Sequence, residues 1–205
     1  MTNIKFIDLF CGIGGFHHAI EAASKRLNLD SECVFASDID ERCQKSYARN
    51  FNITPHGDIT AFDENQIPSH DILLAGFPCQ AFSIIGEMQG FADTRGTLFF
   101  DVARILKAKQ PKFFVLENVK QLVGHDKGRT LSTILKTCED IGYDIQYKVL
   151  NALDFGLPQK RERVFIVGSR SKLVFDFDFD LKHIKNVSSS SLLEKLSLTL
   201  LILVF

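Results

Sequence analysis

The chain has 205 residues, 45% of them hydrophobic, which is enough for one globular domain with a substantial core. Its 24 basic and 25 acidic residues give a net charge of −1, which excludes a strong overall positive field for nucleic acid, so any basic surface must be local. Five scattered cysteines without a C-x-x-C pair argue against a disulfide framework or a zinc site.

The location predicted from these features is the cytoplasm. The amino terminus lacks a signal-peptide pattern, and scattered free cysteines suit a reducing compartment. The longest apolar run, near residues 198–205, is too short to cross a bilayer. We therefore expect neither a membrane nor a metal as a partner.

The first predicted elements are a strand, a glycine-rich turn and a helix. Residues 4–10 are a β-rich run, Cys11-Gly12-Ile13-Gly14-Gly15 follows, and residues 16–27 carry apolar side chains at helical spacing. This order opens a nucleotide-binding βαβ unit, in which glycines let a ligand approach the backbone. A dinucleotide fingerprint would place its third glycine at His17, so a pyrophosphate ligand is disfavoured.

The second predicted strand brings an acid to the same pocket. Residues 33–37 end at Asp38, close to the spacing at which such folds place a carboxylate on a ribose. An acid for a ribose, without a turn suited to pyrophosphate, favours a nucleoside such as S-adenosyl-L-methionine. Further along, Asp58 either accepts a hydrogen bond from an adenine, with Ile59 covering the ring, or is a turn residue.

The third predicted strand, residues 71–75, leads into Gly76-Phe77-Pro78-Cys79-Gln80-Ala81-Phe82-Ser83. Loops at the carboxyl ends of strands bind ligands in open α/β sheets. Pro78 fixes its own φ and stiffens the turn ahead of Cys79. Cys79 is therefore a candidate nucleophile, although a free cysteine is more often a small buried apolar residue.

The rest of the chain alternates helices and strands. A helix is predicted through about residue 108, a strand over 113–116 that ends at Glu117, a helix over 124–142 and a strand over 143–150. A loop then leads to Arg161 and Arg163, which alternation places on one face, ahead of a last apolar strand. Together these elements predict an α/β fold with a doubly wound, mostly parallel sheet.

Five segments resemble, in the same order, the motifs of bacterial DNA (cytosine-5) methyltransferases. They are residues 8–15, 57–60, 76–83, 117–119 and 159–163. The resemblance implies a catalytic domain over residues 1–170 with the Rossmann-like fold of S-adenosylmethionine-dependent methyltransferases. It also implies S-adenosyl-L-methionine as cofactor, double-stranded DNA as partner and a role in restriction-modification.

The resemblance implies roles for single residues. Cys79 resembles the nucleophile that attacks carbon 6 of a flipped-out cytosine, and Glu117 the acid at ring nitrogen 3. Arg161 and Arg163 resemble the pair that binds the base carbonyl and a phosphate. Cofactor contacts are implied for nine residues: Phe10, Gly12, Gly14, Gly15, Asp38, Asp58, Ile59, Pro78 and Leu98.

The chemistry supports these roles independently. Carbon 5 of cytosine is a poor nucleophile until a soft nucleophile such as a thiolate adds to carbon 6. An acid at nitrogen 3 and a guanidinium at the carbonyl then stabilise the adduct. Glu117 follows an apolar run, so desolvation should raise its pKa. Residues 83–97 are the candidate loop that closes behind a flipped base.

Residues 171–205 show none of these motifs. In the family that the chain resembles, a target-recognition domain and final motifs should follow residue 170, and we recognise neither in these residues. Three explanations compete: a truncated or frameshifted chain, which we favour, one half of a split enzyme whose second chain carries the recognition domain, and a fragment of a longer protein. Three other functions remain open: an inactive cofactor-binding remnant, a cytosine-5 RNA methyltransferase and a nicotinamide-dependent oxidoreductase.

Overall fold

Residues 3–78 and 98–173 are described by the structure, a computed structural model. Six strands form one sheet: β1 (Asn3–Leu9), β2 (Asp30–Ser37), β3 (Ile72–Ala75), β4 (Phe113–Val119), β5 (Asp144–Asn151) and β6 (Glu162–Ser169). Their order is β2-β1-β3-β4-β6-β5. Strands β2, β1, β3 and β4 pair in parallel, whereas β6 is antiparallel to both β4 and β5. The predicted mostly parallel sheet is confirmed.

In the described ranges, five α-helices connect or flank these strands: α1 (Gly15–Arg26), α2 (Glu41–Phe51), α3 (Leu98–Lys109), α4 (Gln121–Gly124) and α5 (Arg129–Ile141). Short 3-10 helices cover Ile59–Ala61, Glu64–Gln66, His125–Gly128 and Ala152–Phe155. Within the part of the chain that the structure describes, no helix has the length and apolar character needed to span a bilayer.

The two faces of the sheet support separate cores, as a doubly wound fold requires. Side chains alternate along β1, so Ile7 joins the core that contains Leu106 of α3 and Ile134 of α5. Phe6 points the other way and joins the core that contains Ile20 of α1. Helices therefore cover both faces, and the parallel strands are buried on both sides.

The prediction of one continuous helix over residues 124–142 is wrong at its amino-terminal end. Asp126 and Lys127 have φ angles of 49° and 56°, in the left-handed region that a right-handed helix cannot include. Helix α5 therefore begins only at Arg129. Its predicted glycine stop is correct, since Gly142 has a φ of 105° and follows the last helical residue.

The topology gathers the predicted site residues at one edge of the sheet. Because β1 to β4 are parallel, the segments that follow them lie at the same edge. Strand β6 runs the opposite way, so its first residues reach that edge too, and Arg163 pairs with Val119 at the end of β4. Motifs that are distant in sequence are thus brought together.

Candidate active site

The glycine turn after β1 is joined to the end of β2. The backbone N–H of Cys11 donates to the carbonyl of Ser37 at 3.0 Å, and that of Gly12 donates to Oδ2 of Asp38 at 2.8 Å. Gly12 has a φ of 54°, and a Cβ added to it would meet no protein atom within 4 Å. The turn therefore leaves open space beside the half-buried Asp38 carboxylate.

Gly14 has a different structural reason to be glycine. Its φ is 97°, and a Cβ built on it would lie 2.0 Å from Cε2 of Phe51. The Phe51 ring thus occupies the space that a side chain at Gly14 would need. A Cβ on Gly15, by contrast, would meet no protein atom within 4 Å. Contacts of Gly14 and Gly15 with a cofactor remain predictions.

The segment with Asp58 lies beside Asp38. The N–H of Asp38 donates to the carbonyl of His56 at 3.0 Å, which ties this segment to the end of β2. Asp58 is exposed, and its Oδ1 accepts the N–H of Thr60 at 2.9 Å, so it is a turn residue at the start of a 3-10 helix. This role leaves the predicted adenine contact possible, because a carboxylate has further acceptor sites.

Ile59 is buried in the core and is held there from α3. The guanidinium of Arg104 donates to the Ile59 carbonyl and forms ion pairs with Glu64 at 2.7 Å and Asp101 at 2.9 Å. A planar guanidinium suits such a three-way contact. Sequence reasoning missed Arg104. The local sequence signal was a charged residue between apolar residues that are buried on α3.

Glu117, near the end of β4, lies against two arginines. Its Oε1 is 2.8 Å from Nε of Arg163 and 3.7 Å from Nη2 of Arg161. Burial raises the pKa of Glu117, although both guanidinium groups act to lower it. The predicted direction of this pKa change and the shared face of the arginines are both confirmed. Glu162 points elsewhere and pairs with Lys120 at 2.8 Å.

Gly76 marks the point where three segments meet. Its N–H donates to the carbonyl of Leu9 at 3.3 Å. A Cβ added to it would lie 3.8 Å from Oε2 of Glu117 and 3.9 Å from the carbonyl oxygen of Phe10. Glu117 and the start of the glycine turn are therefore both next to the turn that leads to the predicted nucleophile.

Three further predicted residues border the described region. Pro78 is exposed, and Leu98 is half-buried at the first position of α3. Cys79 lies outside the described residues, as do residues 83–97, the candidate closing loop. Among residues 3–78 and 98–173, no group of three or more His, Cys, Asp or Glu is placed to hold a metal ion.

A buried polar cluster lies behind the glycine turn and was not anticipated from the sequence. Nδ1 of His17 is 2.6 Å from Oη of Tyr47, which in turn donates to Oδ2 of Asp8 at 3.4 Å. Burial raises the pKa of Asp8 well above its usual range. The His17 ring stacks on Phe51 at 3.8 Å, so this cluster links β1, α1 and α2.

The fold is that of the Rossmann-like methyltransferases. The chain superposes on S. pombe Dnmt2 methyltransferase with a TM-score of 0.65 at 22% identity, covering 92% of this chain and 56% of that one. It superposes on the Entamoeba histolytica methyltransferase EhMeth with a TM-score of 0.67 at 22% identity, covering 86% and 56%.

The chain belongs to the C-5 cytosine-specific DNA methylase family, whose model matches residues 4–199. It is 54% identical over 179 residues to Type II methyltransferase M.DsaV of Dactylococcopsis salina, covering 85% of this chain and 49% of the relative. It is 49% identical over 180 residues to Type II methyltransferase M.HhaI of Haemophilus parahaemolyticus, covering 87% and 53%. The chain thus spans about half the length of these curated relatives.

Proposed function

We propose that this chain is the catalytic part of an enzyme that methylates carbon 5 of cytosine in DNA with S-adenosyl-L-methionine. The observation that carries the proposal is the position of Glu117, a carboxyl of raised pKa held by two arginines beside the Gly76 turn. Family membership supports the same reaction. The names of the Type II relatives favour a place in restriction-modification.

The residues at the glycine turn fit S-adenosyl-L-methionine. The turn leaves open space at Gly12, Asp38 presents a half-buried carboxylate for a ribose, and Ile59 supplies an apolar contact for an adenine. When bound, the cofactor supplies an electrophilic methyl group. On this proposal Phe10, Asp58, Pro78 and Leu98 line the same pocket.

The chain's own residues then act on the base. The Cys79 sulfur forms a bond to carbon 6, and the displaced π electrons move toward nitrogen 3 and the carbonyl oxygen. Burial raises the pKa of Glu117, and on this proposal its protonated form donates a hydrogen bond or proton at nitrogen 3. Arg161 and Arg163 stabilise negative charge on the carbonyl and hold a nearby phosphate.

Double-stranded DNA is the partner that we propose for this chemistry. The target atom lies inside the base stack, so the cytosine must leave the duplex before it can react. With a net charge of −1, the chain offers phosphates only local positive charge, such as the arginine pair before and within β6.

The proposal is tested by covalent trapping on duplex DNA that carries 5-fluorocytosine, with labelled S-adenosyl-L-methionine. In the normal reaction the proton on carbon 5 is lost and the bond between the enzyme's sulfur and carbon 6 then breaks. Fluorine in place of that hydrogen cannot be removed as a cation, so the enzyme remains bonded to the base. We expect the unaltered chain to give a labelled complex, Cys79→Ser to give none, and Cys43→Ser, a matched control on α2, to trap normally. Undiminished trapping by Cys79→Ser would reject Cys79 as the nucleophile.

A further inference from the structure

The backbone ladder between β3 and β4 ends before the Gly76 turn begins. Its last pair joins Ala75 to Leu116, although β4 continues beside β6 as far as Val119. The residues that follow β3 therefore have no strand partner on β4. A side chain supplies a hydrogen bond in place of the backbone ladder: Nδ2 of Asn118 donates to the carbonyl of Phe77 at 2.8 Å.

The orientation of the Asn118 carboxamide is fixed at both ends. Its Oδ1 accepts the N–H of Val119 at 2.8 Å, while its Nδ2 faces the Phe77 carbonyl. A flipped amide would set donor against donor and acceptor against acceptor. Asn118 is only 2% exposed, so each unpaired group would lack compensation from water.

Phe77 is the last anchored residue before the exposed Pro78. Its ring is 2% exposed and lies 5.8 Å from that of Phe99 on α3, while its carbonyl is held by Asn118. Pro78 has no N–H, so no backbone donor can hold it. Proline also restricts the residue before it to extended conformations. The direction in which the chain leaves Phe77 is thus set at the Phe77 carbonyl.

We infer that Asn118 is a positioning residue: its carboxamide fixes the Phe77 carbonyl and so sets the turn beside Glu117 from which the chain continues to Cys79. The inference rests on the proposed function, since the turn matters for catalysis only if Cys79 reacts. Asparagine is required because the site needs one acceptor and one donor on a short planar group.

The variant Asn118→Asp tests this with almost unchanged shape. An ionised carboxyl turns a lone pair toward the Phe77 carbonyl, whereas a protonated one donates its O–H and restores the contact. Charged groups close to this position along β4 and β6 include Glu117, its partners Arg161 and Arg163, and the Lys120–Glu162 pair. All of them are present in both proteins, so the ratio of variant to unaltered kcat removes the pH dependence that the two proteins share.

At about pH 8 we expect kcat of Asn118→Asp to fall about 100-fold, the size of effect that a misplaced reacting group produces. The KM for S-adenosyl-L-methionine should stay within about twofold, because neither hydrogen bond of the Asn118 side chain goes to a predicted cofactor residue. Toward about pH 6 the ratio of variant to unaltered kcat should recover at least about tenfold as the carboxyl is protonated. Asn118→Ala, which cannot donate at any pH, should give a low ratio that does not change.

A ratio for Asn118→Asp that is independent of pH would overturn the inference, as would an unaltered kcat in folded Asn118→Ala. A ¹³C NMR titration of the introduced carboxyl gives a readout that needs no activity. We expect a pKa above the ordinary aspartate range, and an ordinary pKa would also overturn the inference. If the unaltered chain transfers no methyl group, the proposed function fails, while the titration still decides the contact with Phe77.

Discussion

At the scale of single residues, Glu117 shows burial and charge acting against each other. Two guanidinium groups favour its ionised form, yet burial outweighs them and its pKa lies above the ordinary glutamate value. Glu162, which lies between Arg161 and Arg163 in the sequence, shows the opposite balance: it is more exposed, and its hydrogen bond to Lys120 lowers its pKa. The two glutamates can therefore be compared directly, because they are the same residue type with pKa shifts in opposite directions.

This difference predicts opposite effects of pH on stability. A raised folded pKa means that the folded state binds more protons than the unfolded state, so Glu117 favours folding less as pH rises through that pKa. Gln cannot titrate, so the stability of Glu117→Gln relative to the unaltered chain should increase between about pH 4 and about pH 7. The relative stability of Glu162→Gln should decrease over the same range. Urea unfolding at several pH values measures both, and trends of equal sign would contradict the assignment.

Local pattern revealed the roles of some residues and not of others. The apolar run before Glu117 was sufficient to predict a raised pKa, and alternation was sufficient to place Arg161 and Arg163 together. Asn118 lies on the same strand, β4, yet its contact depends on where the ladder between β3 and β4 stops. That end point is a tertiary feature, which residues near Asn118 do not encode.

At the scale of elements, the glycine turn combines a packing constraint with an open surface. Gly14 is excluded from carrying a side chain by its left-handed φ and by Phe51. Gly15 starts α1 with free space around it. Gly14 and Gly15 are adjacent in the sequence, but packing and backbone conformation restrict only Gly14 to glycine. Substituting each one in turn therefore tests the packing constraint apart from the open surface.

We expect Gly14→Ala to lower the free energy of unfolding by at least about 1–2 kcal/mol, from left-handed strain alone, with displacement of Phe51 adding to it. Gly15→Ala should leave stability unchanged or slightly raised, since alanine favours a helix. If the cofactor passes beside the turn, Gly15→Ala should weaken binding of S-adenosyl-L-methionine. Urea unfolding and titration calorimetry separate the two effects, and equal destabilisation by both variants would contradict the packing argument.

The segment between β4 and α5 shows why element boundaries were harder to predict than elements. The helix predicted over residues 124–142 is present as α5, and its end is where the glycine stop placed it. Its start was set too early because Asp126 and Lys127 adopt left-handed conformations that their residue types do not require. Gly124 and Gly128, on either side of the break, were the available signal.

At the scale of the whole molecule, the doubly wound, mostly parallel sheet was predicted from the alternation of short apolar strands with helices, whereas the order of its strands came only from the structure. The cluster of Asp8, His17 and Tyr47 was not implied, since it assembles from three elements around the turn. Such a cluster joins the glycine turn to the core. Ligand binding at the turn should therefore be measurable as stability of the entire described domain.

That linkage allows the role of Asp58 to be decided against a matched control. Asp58 and Asp63 are both exposed, and each accepts an N–H two residues ahead at 2.9 Å to start a 3-10 helix. Replacing either by alanine removes the same kind of turn contact, so we expect similar small losses of stability in the absence of ligand. Only Asp58 follows the segment tied to Asp38.

A ligand that binds only the folded state stabilises it by about 2.7 kcal/mol at 100 times its Kd. We expect S-adenosyl-L-methionine to raise the Tm of the unaltered chain and of Asp63→Ala alike, whereas Asp58→Ala should lose most of this increase because an adenine acceptor is gone. NADH should raise the Tm of none of the three, since no glycine follows at position 17 to admit a pyrophosphate. Equal increases for Asp58→Ala and Asp63→Ala would leave Asp58 as a turn residue only, and an increase with NADH would instead favour a dinucleotide-binding enzyme.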